Sequence, residues 1–69
     1  MSVILKKSLA AIKKSPPHTL GVLAKTINED PFDVRPVIDK ALSEGLIKQF
    51  NGCFHITPSG NDALQNLKE

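Results

Sequence analysis

Only one cysteine, Cys53, stands in the 69 residues, and a lone thiol makes neither an internal disulfide nor a thiolate cluster. Disulfide scaffolds and zinc ribbons are thereby excluded, and a reducing compartment is expected. Long apolar runs are missing as well. Lysine breaks the longest apolar stretch within a few positions, so no segment has the length of a transmembrane helix or a secretory signal. A soluble protein of the cytoplasm, or of the nucleus in a eukaryote, is expected, with no membrane partner. Charge of one sign is scarce: nine Lys and Arg stand against seven Asp and Glu, a net +2, too mild to announce a nucleic-acid binder by itself. Glycine is sparse, and neither Gly21 nor Gly60 has the spacing of a phosphate-binding loop.

What is present is an ordinary globular balance, 41% hydrophobic and 23% charged residues, which rules out disorder and low complexity. One domain is expected. Its core is small enough that dimerisation or docking would be a natural supplement.

Helical periodicity dominates the first two thirds. Ser2 can cap a helix running to about Ser15, with Leu5, Leu9 and Ile12 on one stripe, flanked by Ile4 and Ala11. Lys6, Lys7, Lys13 and Lys14 fall off that stripe, and Pro16-Pro17 ends the helix. Thr19 is a good cap for a second helix through about Asn28, carrying Leu20, Leu23, Ala24 and Ile27 at helical spacing. Asn28 to Pro31 reads as the connecting turn. Asp33 then caps a third helix with Pro36 in its first turn, where a missing N–H costs little. Val34, Val37, Ile38, Ala41 and Leu42 form its apolar side, and Gly45 supplies a left-handed C-terminus.

The period then changes to two. A strand begins at Leu46 and Ile47, and Asn51-Gly52 marks a tight hairpin, since both turn positions need positive φ. Pairing outward from the turn sets Phe50 opposite Cys53, Gln49 opposite Phe54, Lys48 opposite His55 and Ile47 opposite Ile56. Ile47, Phe54 and Ile56 then face inward, while Lys48, Phe50, Cys53 and His55 face outward. Thr57-Pro58 restarts a helix whose Ala63, Leu64 and Leu67 are apolar. The fold class is α+β, mainly helical: three helices, a two-stranded hairpin and a C-terminal helix.

That order, with the run Ala41-Leu42-Ser43-Glu44-Gly45-Leu46-Ile47 and the segment Phe54-His55-Ile56-Thr57-Pro58-Ser59-Gly60, resembles the small winged helix-turn-helix transcription regulators. The match covers nearly the whole chain. The resemblance implies duplex DNA as partner, with the third helix in the major groove, the second helix's N-terminus at backbone phosphate and the hairpin wing at an adjacent minor groove. Carried over, it assigns Arg35, Pro36, Asp39, Lys40 and Ser43 to the groove, His18 and Thr19 to phosphate, and Lys48, Asn51 and Gln49 to the wing contacts. Arg35 can read guanine, Asp39 can accept from cytosine, and Lys40 suits guanine or phosphate. A dimer is expected if an operator is read.

A second reading is a winged-helix protein-interaction module in a larger assembly. Asp33 to Glu44 carries three acids against two bases, which favours a polypeptide partner over a polyanion. Phe50, an apolar ring on the outward hairpin face, would remain wet in a monomer. With Cys53 beside it, that face is the expected interface for a homodimer or another protein, the terminal helices being the other choice. Cys53 and His55 point the same way, yet they lack the further ligands of a metal site and the orienting third group of a nucleophile–base pair. No catalysis, cofactor or metal is expected.

Overall fold

The computed structural model describes residues 3–66. Its elements are α1 (Val3–Lys14), α2 (Leu20–Ile27), α3 (Pro31–Ser43), β1 (Ile47–Phe50), β2 (Cys53–Ile56) and α4 (Pro58–Asn66). This is the α+β, mainly helical order read from the sequence, with the winged helix-turn-helix arrangement of elements. Ser2 and Leu67, expected as the α1 cap and part of the α4 stripe, lie outside the described residues.

Local chemistry accounts for most boundaries. Thr19 caps α2: its Oγ1 accepts from the Val22 amide at 3.1 Å, which satisfies one of the orphan donors of a helix start. Asn28 ends α2 in the left-handed conformation at φ 58°. The start of α3 differs from expectation. Asp30, not Asp33, is its cap, with a side-chain oxygen accepting from the Phe32 amide at 2.9 Å. Pro31 takes the first helical position, where it forgoes no hydrogen bond. The turn therefore shortens to residues 28–30, and Pro36 falls in the helix interior rather than its first turn. There it cannot donate to the Phe32 carbonyl one turn back.

The core joins all three leading helices to the hairpin. Leu9 and Ile12 of α1, Leu23, Ala24 and Ile27 of α2, and Val34, Ile38 and Ala41 of α3 pack with Ile47 and Phe54 into one buried cluster. These are largely the residues that the 3.6-residue and two-residue periods place inward. Burying them together supplies the main stabilisation of a chain this short.

The hairpin register is Ile47 with Ile56, Lys48 with His55, Gln49 with Phe54 and Phe50 with Cys53, as the Asn51-Gly52 turn requires. Both turn residues have positive φ, 52° and 78°. Strand β1 starts at Ile47, one residue later than expected. In this register the Phe54 N–H points away from β1, and it donates to the Pro17 carbonyl at 2.9 Å. The diproline segment that ends α1 thus lies along the outer edge of β2 and covers it.

A clasp joins the end of α3 to the start of α4. The Thr57 amide donates to the Leu46 carbonyl at 3.1 Å. The Thr57 hydroxyl shares its proton between the carbonyls of Gly45 at 2.6 Å and Leu46 at 2.9 Å. The same oxygen accepts from the Gly60 amide at 3.0 Å. Gly45 provides the positive φ, 74°, that turns the chain from α3 toward β1.

Candidate nucleic-acid interface

The outward side of α3 is built by what the inward side buries. Val34, Ile38 and Ala41 are buried at the spacing of one helical face, so Arg35, Pro36, Asp39, Lys40 and Ser43 emerge together on the opposite one, all exposed. Helical geometry orders them further. Offsets of 4, 7 and 11 residues place Pro36, Asp39 and Ser43 in line with Phe32 along the middle of that face, with Arg35 on one flank and Lys40 on the other. Lys40 lies 4.0 Å from Glu44, both well exposed, a spacing at which an ion pair contributes little.

Phe32 is not among the sequence-predicted site residues, and it is the most exposed large apolar side chain described, at 87%. The signal that finds it is the Asp30-Pro31 pair. A cap at Asp33 leaves Phe32 in a turn, whereas a cap at Asp30 makes it the second helical residue and sets it at the head of the outward stripe.

The start of α2 carries the expected phosphate-facing pair. His18 and Thr19 are exposed, and the Thr19 oxygen is already used as the helix cap. Gly21 follows within the first turn and is also exposed, so no side chain obstructs an anion approaching the free amides there. Lys13 and Lys14 are exposed in the last turn of α1, just before the diproline. Lys7 is engaged elsewhere: its Nζ lies 2.7 Å from the Glu29 carboxylate, tying α1 to the turn before α3.

On the wing, Lys48, Gln49 and Asn51 are exposed. Lys48 shares the outer face with Phe50, Cys53 and His55. Phe50 is 60% exposed, and its ring meets the His55 imidazole edge-on with centroids 6.0 Å apart. Cys53 is half-buried. The structure thus brings Phe50, Cys53 and His55 onto one face of the hairpin, and Arg35, Pro36, Asp39, Lys40 and Ser43 onto one side of α3.

Among the described residues no three of His, Cys, Asp and Glu gather closely enough to hold a metal ion, and no helix is long and apolar enough to cross a membrane. Compared with known proteins, the chain matches no family model and no curated sequence.

Proposed function

We propose that this protein binds duplex DNA, with α3 in the major groove and the hairpin as a wing beside it, as a small transcriptional regulator of the winged-helix kind. The observation that carries the reading is the exposure of Arg35, Pro36, Asp39, Lys40 and Ser43 on one side of α3, opposite buried Val34, Ile38 and Ala41. A helix held to the body by one face and open along the other is the shape that enters a major groove. Arg35 supplies a guanine-reading fork, Asp39 an acceptor for cytosine, and Lys40 a phosphate or guanine contact. Thr19 and His18, with Lys13 and Lys14 nearby in sequence, approach the backbone. Two cations on α3 give few specific contacts, so the regulator acts as a dimer on a two-part site.

The test is a salt titration of binding to random duplex and single-stranded DNA, run beside a solution mass measurement. Duplex affinity should fall steeply with salt, with a slope of about −0.9 for each phosphate neutralised. Absence of duplex binding at low salt, or an affinity indifferent to salt, overturns the reading.

The exposure of Phe50 and the excess of one acid across Asp33 to Glu44 favour a second reading, a protein-interaction module that does not itself read DNA. It predicts that Phe50→Ser abolishes assembly with its partner while duplex binding is absent throughout.

A further inference from the structure

The middle of the α3 outward face begins with two side chains that cannot hydrogen-bond a base. Phe32 and Pro36 stand one turn apart, both exposed. The Phe32 backbone is fixed by its amide's bond to the Asp30 carboxylate at 2.9 Å, so the ring is carried at a defined place on the helix tip. Among the groups that base pairs display in the major groove, the apolar one is the 5-methyl of thymine; the others are hydrogen-bond donors and acceptors. A ring at the head of this face would leave those unpaired and is matched by the methyl alone.

We propose that Phe32 is a specificity-determining residue that reads a thymine 5-methyl group. The inference rests on the DNA-binding reading above. Arg35 lies three residues on, about 4.5 Å along the helix axis at 1.5 Å per residue. Base pairs repeat every ~3.4 Å, so the guanine taken by Arg35 falls one or two steps from the thymine taken by Phe32. The recognition element is therefore a closely spaced thymine and guanine, with thymine specified by shape.

The experiment selects duplexes from a random pool with the full chain, then replaces each thymine of the best binder in turn by deoxyuridine. That exchange removes the methyl and leaves base pairing intact. At one thymine per bound α3, the wild type should lose affinity about fourfold, the effect of unburying one methyl-sized group. Phe32→Ala should bind thymine and uracil versions equally. Phe32→Leu, which keeps an apolar tip, should retain most of the discrimination. The ring is 87% exposed, so both variants should fold, as circular dichroism would verify. A selected site indifferent to uracil in the wild type, or a uracil penalty unchanged in Phe32→Ala, overturns the proposal while leaving DNA binding intact. So does a Phe32→Ala protein with unchanged DNA binding and a lowered solution mass, which would place the ring in a protein interface. Failure of the selection to enrich any duplex removes the parent reading along with it, before any uridine is introduced.

Discussion

Gly60 sits directly against the backbone of Leu46: a Cβ on Gly60 would land on the Leu46 carbonyl oxygen and come within 2.8 Å of Ile56 Cγ1. The contact lets α4 approach the α3–β1 junction closely enough for Thr57 to hold both the Gly45 and Leu46 carbonyls. Backbone cannot move aside as a flexible side chain would. Gly60→Ala should therefore cost about 2–3 kcal/mol by overpacking, and Thr57→Val about 2 kcal/mol by leaving part-buried polar groups unmatched. Thermal or urea denaturation measures both, and a Gly60→Ala midpoint equal to wild type would refute the close approach.

Ser8 presents the opposite case. Its side chain is fully buried on the core side of α1, and its hydroxyl has no hydrogen-bond partner among the described residues. A buried hydroxyl without a partner carries its whole desolvation penalty. Ser8→Ala removes the penalty, leaves little void and improves helix propensity. A gain of about 1 kcal/mol in urea denaturation is expected, and a loss of similar size would reveal a partner for the hydroxyl.

Pro36 interrupts the hydrogen bonding of α3 on an exposed face. Against alanine, an interior proline costs a helix about 3 kcal/mol, of which a more restricted unfolded chain returns up to about 1 kcal/mol. Pro36→Ala should raise stability by about 2–3 kcal/mol. If Pro36 lies in the groove, the same variant should weaken duplex binding, so melting temperature and DNA affinity move in opposite directions. Affinity that rises with stability would remove Pro36 from the interface.

Arg35→Ala should cost about 1–3 kcal/mol of duplex affinity and relax preference at one base position, whereas Lys40→Ala should weaken all sequences alike and reduce the salt slope by about 1. Both side chains are exposed, so the folding midpoint should hardly change. Competition binding against the selected duplex and random duplex separates the two effects. Unchanged affinity in the double variant would transfer the interface elsewhere.

Phe50 is 60% exposed, and the contact described for its ring is the His55 edge. Phe50→Ser should shift stability by no more than about 0.5 kcal/mol and leave duplex affinity within about twofold of wild type. A drop in solution mass with this variant would identify the outer wing face as an interface between protein chains.

Much of this architecture is local and was legible in the residues. Asn51-Gly52 set the register of the whole hairpin, because two residues that tolerate positive φ permit one tight turn and a period of two then assigns every side chain a face. Thr19 marked the start of α2 for a similar reason, a short hydroxyl being suited to a helix's orphan amides. The outward set on α3 followed from Val34, Ile38 and Ala41 alone.

The cap of α3 was not legible. Asp30 and Asp33 offer the same carboxylate, and either can serve an N-terminus. Starting the helix at Pro31 lets the Val34 amide bond to the Asp30 carbonyl at 3.1 Å while its side chain enters the core. That choice moved Phe32 from a turn to the head of the exposed stripe.

The sequence by itself determined the elements, the hairpin register and the inward stripes, since each depends on residues within a few positions of one another. Tertiary structure alone decided that Lys7 meets Glu29, that Pro17 covers the edge of β2 at Phe54, and that Gly60 must be bare to lie on Leu46. Those partners stand 14 to 37 positions apart, and a separation of that length is closed by packing of the shared core, which no local pattern of residues encodes.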